Sequence, residues 1–277
     1  MTLRIPTHWL IAAAASAATC ATFAVTFYPR GPSEEEKYAV AAQRKKAYDT
    51  IGKGHEALFA EKKDEALAAY REALTIDPGV SSAYYLIGTI ELNDGNLEEA
   101  ISEFDQALKF DKYPEHIYNN RGAARLRQGD LKGALSDFNA ALDLKPGFRQ
   151  PQINRGLIRL QQDDPAAARK DFDTVITGYQ QPSDGIEAYV GRGIARAKLA
   201  DLAGAEADLT LAREWAEGKQ QMLGTLFNRA VVREMKGDAA GAQADRAEYT
   251  RLKDLPKESI EFVRPLKGAD EPTKGKG

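Results

Sequence analysis

Small and large apolar side chains recur at fixed spacings over most of the chain. Small residues stand at three 34-residue steps and then two 37-residue steps: Gly54, Gly88, Gly122, Gly156, Gly193 and Ala230. Twelve residues after each of them stands an alanine: Ala66, Ala100, Ala134, Ala168, Ala205 and Ala242. Sixteen residues after each stands a large side chain: Tyr70, Phe104, Phe138, Phe172 and Leu209, with Arg246 in the last position. This self-similarity predicts six structural units built on one template.

Composition and capping residues predict two helices in each unit. Residues 33–255 are rich in Ala, Leu, Glu, Lys and Gln and contain few β-branched runs, which favours helix. Ser33 and Glu36 have the spacing of a capping box, so a helix is predicted to begin near Glu34. The same spacing pairs Asn96 with Glu99. Capping residues precede the second helix of five units: Asn96, Asp130, Asp164, Asp201 and Asp238.

This template resembles the tetratricopeptide repeat family, in which each unit of 34 residues consists of two antiparallel helices. The match runs from about residue 47 to residue 249 and includes Pro78 and Pro146 at unit boundaries. The resemblance implies an all-α, right-handed solenoid of about six helix-turn-helix repeats. An N-terminal hydrophobic helix is expected before it, from the uncharged residues 9–28. The 37-residue steps depart from the family pattern and leave the pitch of the solenoid open there.

The expected domain organisation follows from these boundaries. Residues 1–32 form a signal-anchor or signal peptide with a short linker, and residues 33–249 form the solenoid. Residues 250–267 are expected to form a C-terminal capping segment, and residues 268–277 a disordered tail. The six units are expected near residues 47–80, 81–114, 115–148, 149–185, 186–222 and 223–256.

An uncharged run covers residues 9–28 and would extend about 30 Å as a helix, the thickness of a hydrocarbon core. We favour an uncleaved signal-anchor. The alternatives are a signal peptide cleaved near Ser16, Ala18 or Ala24, and a lipoprotein signal that ends at Cys20. All three export the body of the protein. The expected location is therefore the inner membrane with a periplasmic body, or the periplasm if the signal is cleaved.

Composition excludes several classes of function. The net charge of −3 gives no general reason to expect a nucleic-acid partner. The single cysteine allows neither an intrachain disulfide nor a cluster of thiolate ligands. The three histidines, His8, His55 and His116, have no converging ligand or triad partners in the sequence. We therefore expect no enzyme, no cofactor and no metal site.

Two arginines, four residues apart, recur in four consecutive units. Each first arginine is followed sixteen residues later by an aspartate, which favours structural ion pairs: Arg121 with Asp137, Arg155 with Asp171, Arg192 with Asp208 and Arg229 with Asp245. The competing hypothesis is a basic track that binds the phosphate backbone of a nucleic acid. No repeating acidic partner is evident for the second set, whose role stays open: Arg125, Arg159, Arg196 and Arg233.

The family resemblance implies that the first helices of the units form an inner groove that binds peptides. The residues expected to face it are Tyr85, Asn119, Asn120, Ile153, Asn154, Val190, Phe227 and Asn228. Further along these helices, the groove is expected to be lined by Asn93, Arg127, Gln161 and Lys198. The resulting hypothesis is a scaffold of the bacterial cell envelope that binds a protein or peptide partner. The alternative is a nucleic-acid-binding repeat protein, and the sequence identifies neither the partner nor the oligomeric state.

Overall fold

The computed structural model describes residues 32–178, 185–216 and 218–253. Within these residues the regular structure consists of twelve α-helices without β-strands, so the all-helical prediction is confirmed. The helices are α1 (Glu34–Phe59), α2 (Lys63–Ile76), α3 (Ser81–Asp94), α4 (Leu97–Leu108), α5 (Glu115–Gln128), α6 (Leu131–Leu144), α7 (Arg149–Gln161), α8 (Pro165–Thr177), α9 (Ile186–Lys198), α10 (Leu202–Trp215), α11 (Lys219–Lys236) and α12 (Ala239–Lys253).

The chain divides into two units between Ala42 and Gln43. In the first unit, residues 32–42 are described and include the start of α1. The backbone N–H of Ser33 donates to Oε2 of Glu36 at 2.7 Å, and the N–H of Glu36 donates to Oγ of Ser33 at 3.2 Å. This reciprocal capping box starts α1 at Glu34, as the sequence predicts.

The second unit is a stack of helical hairpins. From α3 onward, each helix contacts the next one along the chain, and the first helices of neighbouring hairpins also contact one another. The first helices α3, α5, α7, α9 and α11 therefore lie side by side. We call the surface that they present the first-helix face.

Close approach of the two helices in a hairpin explains the recurring small residue. A Cβ placed on Gly122 of α5 would lie 2.7 Å from the ring of Phe138 in α6, closer than the two atoms can pack. Phe138 is fully buried, between Ala134 and Ala141 on its own helix. In the last hairpin the aromatic is replaced by Arg246, and there the small residue is alanine rather than glycine. The pairing of a small residue with a large one sixteen positions later therefore follows from close packing of the two helices.

Aspartates cap the second helices, as predicted. The carboxylate of Asp130 accepts a bond from the backbone N–H of Gly133 at 2.9 Å, and the equivalent bonds are made by Asp164, Asp201 and Asp238. The prediction for Asn96 is wrong, because its side chain makes no capping bond and its amide instead donates to Glu91 at 2.7 Å. In α4, Glu98 and Glu99 still place negative charge in the first turn.

The turn inside each hairpin places one residue in the left-handed region. Three of these residues are glycines, at φ angles of 89°, 93° and 84°: Gly95, Gly129 and Gly237. The other three are Glu61, Asp163 and Ala200, with φ angles of 59°, 60° and 62°. The left-handed conformation costs a residue with a Cβ about 1–2 kcal/mol, so these three turns are strained relative to the glycine turns.

The helix bounds differ from expectation near the C-terminus. The sixth hairpin begins with α11 at Lys219, four residues before the expected start of the unit, because α11 is 18 residues long. Residues 250–253 continue α12 and do not begin a separate segment. In the part of the chain that the structure describes, no helix has the length and apolar character needed to cross a membrane. The predictions for residues 1–31, 181–184 and 254–277 lie outside the described residues.

Candidate functional site

The first arginine of each pair meets the aspartate sixteen residues later across its hairpin. Arg155 donates from Nε to Oδ2 of Asp171 at 3.1 Å and from Nη2 to Oδ1 at 2.7 Å, a two-point contact. The same two bonds join Arg121 to Asp137, Arg192 to Asp208 and Arg229 to Asp245. All four aspartates are buried. Planar guanidinium groups match carboxylates in this geometry, so the pairs hold the two helices in a fixed register.

The second arginine, whose role the sequence left open, shares the same aspartate. Arg159 lies one turn after Arg155 and donates from Nη1 to Oδ2 of Asp171 at 2.7 Å. Arg125, Arg196 and Arg233 make the same contact with Asp137, Asp208 and Asp245. The carboxylate therefore accepts three bonds from two guanidinium groups. The signal was present in the sequence as a constant spacing of twelve residues between the second arginine and the aspartate.

The first arginine also reaches the preceding hairpin. Nη1 of Arg192 donates to Oδ1 of Asp173 in α8 at 2.9 Å, and Nη1 of Arg121 donates to Asp105 in α4. At the equivalent place Arg155 contacts Asn139, and Arg229 contacts the hydroxyl of Thr210. Each arginine thus ties its own hairpin to the one before it.

Burial and pairing act in opposite directions on these guanidinium groups. For Arg121, burial lowers the pKa, but the bonds to Asp137 and Asp105 outweigh it and the pKa is raised. The same balance raises the pKa of Arg192, with Asp208 and Asp173 as partners. The arginines stay charged and remain paired with the aspartates of the protein.

The second hairpin departs from this arrangement. Ile87 stands where the arginine would be, and Glu103 stands where the aspartate would be. Burial raises the pKa of Glu103, the charge of Arg71 opposes this in part, and the nearby Glu91 raises the pKa further. This half-buried carboxylate therefore lacks the arginine pair that the next four hairpins supply.

The predicted groove residues in α3 and α5 form a connected polar cluster on the first-helix face. The amide of Asn120 donates to the hydroxyl of Tyr85 at 3.1 Å and to Oγ1 of Thr89 at 3.5 Å. The amide of Asn119 donates to Oδ1 of Asn120 at 3.0 Å. Asn119 was expected to face the groove but is buried, at 8% exposed, and its own Oδ1 has no hydrogen-bond partner.

A second polar array crosses from α7 to α9. The amide of Gln150 donates to Oδ1 of Asn154 at 3.4 Å, and the side chain of Gln150 also lowers the pKa of Glu187 in α9. Asn154 is partly exposed, as predicted for a groove residue. Asn228 in α11 is partly exposed as well, and its amide donates to the backbone carbonyl of Gly224 on its own helix.

Ile153 was expected to face the groove, and the structure contradicts this. It is 3% exposed and packs in the core with Leu160 and Phe172, so no ligand can contact it. Val190 and Phe227 are partly exposed, and the Phe227 ring lies 6.1 Å from that of Tyr249. The spacing places Ile153 at the same register as these two. The side chain of Ile153 lies in the apolar space between its own hairpin and the next one.

The four residues expected further along the groove are exposed at the ends of the first helices. Nη1 of Arg127 donates to the backbone carbonyl of Leu92 at 2.5 Å, and Lys198 pairs with Asp163 at 2.7 Å. Asn93 and Gln161 are exposed as well. The sequence prediction missed two members of this row, which stand at the same register in the first and last hairpins: Phe59 and Met235, 96% and 55% exposed.

The prediction also missed an apolar row beside the asparagines. Leu157, Ile194 and Val231 each directly follow the small residue of their helix, and all three are partly exposed. The equivalent residues in α3 and α5 are Thr89 and Ala123. The first-helix face is consequently polar around α3 and α5 and more apolar from α7 to α11. The sequence signal that could have identified this row is an apolar residue directly after the recurring small residue.

The histidines in the described residues make packing contacts. The ring of His55 lies edge-on to that of Tyr70, with 5.8 Å between centroids, and His116 lies edge-on to Phe148 at 4.8 Å. His8 lies outside the described residues.

Comparison with known proteins supports the family suggested by the repeat. Models described as tetratricopeptide repeat match residues 51–117 and 115–148. These models describe a repeat and not a catalytic family. No protein among curated sequences matches this chain.

Solved structures share the fold. A tetratricopeptide repeat protein from Parabacteroides merdae superimposes with a TM-score of 0.62 at 22% identity, over 74% of this chain and 79% of that one. PilF of Pseudomonas aeruginosa has the same TM-score and identity, over 76% of this chain and 93% of its own. YrrB, described as a tetratricopeptide repeat protein with an unusual peptide-binding site, gives 0.53 at 20% identity, over 67% and 94%. At these identities the likeness establishes the fold.

Proposed function

We propose that this chain, which carries tetratricopeptide repeats and folds as their structures do, is a protein–protein interaction scaffold of the bacterial cell envelope. Its first-helix face binds a segment of a partner protein. Residues 9–28 hold it at the inner membrane or direct its export, so that the repeats lie on the periplasmic side.

The observation that carries the proposal is a difference between the arginines, which pair inside the protein, and the asparagines of the first-helix face, which are partly exposed. The arginines are engaged by aspartates between and within the hairpins. The asparagines of the first-helix face are instead partly exposed, at Asn120, Asn154 and Asn228. An amide can donate to a peptide carbonyl and accept from a peptide N–H, which suits it to hold a backbone.

The apolar row of Leu157, Ile194 and Val231 supplies the complementary contact. Partly exposed apolar side chains beside amide groups are typical of a site that buries apolar side chains of a ligand and fixes its backbone. YrrB, which shares the fold, has a peptide-binding site of its own. That precedent supports the class of ligand and not its identity.

Binding of nucleic acid by an arginine track is the alternative, and no observation in the described residues favours it. Arg125, Arg159, Arg196 and Arg233 would have to contact phosphates, yet each donates to a buried aspartate. Releasing them would remove one of the two guanidinium partners of each buried aspartate, which is unfavourable.

Site-specific photo-crosslinking in the native host tests the proposal. A photoreactive amino acid at Gln161 of α7, on the first-helix face, should crosslink a partner that mass spectrometry identifies. The same amino acid at Lys170, exposed on the second helix α8, is the control. Crosslinks from Lys170 but none from Gln161 would reject the groove assignment.

A double substitution, Asn154→Ala with Asn228→Ala, should reduce the crosslink from Gln161 without changing the melting temperature. Asn120 is left intact, because replacing it would remove the partner of Asn119 and Tyr85. Fractionation of the same cells tests the location: recovery of the protein in the cytoplasm would overturn the envelope assignment.

A further inference from the structure

Glu187 is an acidic residue on the first-helix face without a positive partner. It lies in the first turn of α9, and the helix α7, which contacts α9, carries Gln150 at the same register. Burial raises the pKa of Glu187, and the side chain of Gln150 offsets this only in part. Within the described parts of the chain, no lysine, arginine or histidine forms an ion pair with it.

The lack of an ion pair at Glu187 contrasts with the four buried aspartates of the hairpins. Asp137, Asp171, Asp208 and Asp245 each receive two arginines. A half-buried carboxylate without a cation is unfavourable for folding, since burial penalises its charge. Such a residue on a proposed binding face is a candidate for contact with a ligand.

The neighbouring helix on the other side leaves room at this position. In α11 the residue at the register of Glu187 is Gly224, and a Cβ placed there would meet no atom within 4 Å. Helices α9 and α11 contact each other, so this open space lies beside the helix that carries Glu187. A long side chain of a ligand can enter it.

We propose that the peptide bound to the first-helix face carries a cationic group, a lysine or arginine side chain or a free α-amino group, that pairs with Glu187. The proposal rests on the peptide-binding function and names the charge of the ligand. The carboxylate gains a cationic partner on binding.

A purely structural role makes a different prediction. A carboxylate in the first turn of a helix interacts favourably with the helix dipole, and the residue before α9, Gly185, provides no side-chain cap. If this were its whole role, Glu187→Gln would lower the melting temperature and leave the ligand preference unchanged.

The test uses the full chain and random peptides displayed on phage. Selected peptides are synthesised with free or acetylated N-termini, and each lysine or arginine is replaced in turn by acetyl-lysine or citrulline. Anisotropy then gives their Kd for the wild type and for Glu187→Gln. The control, Glu98→Gln, removes an exposed carboxylate from the first turn of the second helix α4.

For the wild type and the control, neutralising one cationic group of the peptide should weaken binding about fivefold. For Glu187→Gln the same change should have no effect, and selection on Glu187→Lys should instead enrich acidic peptides. The acetylated N-termini show whether the group is a side chain or the α-amino group.

The inference fails if neutralising the cationic group weakens binding equally in the wild type, the control and Glu187→Gln. It also fails if the peptides whose binding is weakened by Asn154→Ala with Asn228→Ala bind equally well with and without a cationic group. In both cases the proposed function stands. A selection that yields no peptide sensitive to that double substitution rejects the proposed function together with this inference.

Discussion

Nη1 of Arg159 lies 2.7 Å from Oδ2 of Asp171, twelve residues further along the chain. The same oxygen accepts a bond from Nε of Arg155 at 3.1 Å. One buried carboxylate therefore neutralises charge from two arginines on the facing helix. The same arrangement recurs at Asp137, Asp208 and Asp245.

Replacement of Asp171 by alanine should lower the free energy of unfolding by about 3–5 kcal/mol, because two partly buried guanidinium groups lose their partner. Urea denaturation followed by circular dichroism measures this. Asp173→Ala is the matched control. It lies two residues away on the same helix, and its side chain is 44% exposed against 3% for Asp171. Its partner Arg192 keeps the pair with Asp208, so the substitution should cost less than about 1 kcal/mol. Equal losses in the two variants would contradict the central role of Asp171.

Tyr70→Phe should stabilise the protein by about 1 kcal/mol. The Tyr70 hydroxyl is buried without a hydrogen-bond partner, and burial raises its pKa. Removing an unsatisfied hydroxyl removes its desolvation penalty. Phenylalanine already occupies the equivalent place in the next three hairpins, so the ring fits. Thermal denaturation measures the change, and a lower midpoint would show that the hydroxyl has a partner in solution.

Ala200→Gly should stabilise the fifth hairpin by about 0.5–1 kcal/mol. Ala200 has a φ angle of 62°, in the left-handed region that glycine adopts without steric cost. Gly129→Ala is the reciprocal change at the equivalent turn of the third hairpin, where φ is 93°, and it should destabilise. If both substitutions shift the denaturation midpoint in the same direction, turn strain is not the controlling factor.

Glu103→Gln should raise stability near neutral pH by less than about 1 kcal/mol. The folded-state pKa of Glu103 is raised above its ordinary value of 4.5, so the folded protein binds this proton more tightly than the unfolded chain does. The favourable contribution is therefore complete below pH 4.5 and is lost as the pH rises through the raised pKa.

The advantage of the glutamine variant should accordingly disappear as the pH falls below the ordinary carboxyl pKa. Denaturation midpoints across this range test the effect. Glu99→Gln, at an exposed site on the same helix, is the control. A pH-independent difference between Glu103→Gln and wild type would exclude the titration of Glu103 as its cause.

Much of the fold was predictable because its contacts recur. Gly122 and Phe138, sixteen residues apart, contact each other in the structure, and five of the six hairpins repeat this pairing of a small residue with a large one. The same spacing joins Arg155 to Asp171. A contact made within every unit leaves a period in the sequence, so that composition and spacing suffice to find it.

The failures concern positions at which one unit differs from the others. Asn96 has the identity of a cap, but Glu91 binds its amide instead. Ile153 shares its register with Val190 and Phe227, yet it is buried between hairpins. The hydrogen bond of Asn96 and the burial of Ile153 depend on the residues around each of them. A template built from features common to all units does not contain these differences.

The sequence by itself determined the twelve-helix pattern, the start of α1, the aspartate caps and the pairing of the first arginine with its aspartate, since these follow from local propensity and constant spacing. Only the tertiary structure decided that Arg159 shares Asp171, that Asn119 keeps an acceptor without a donor, and that Glu187 stands without a cation. Whether a polar group is satisfied depends on every atom around it in three dimensions, and residues from different helices supply those atoms.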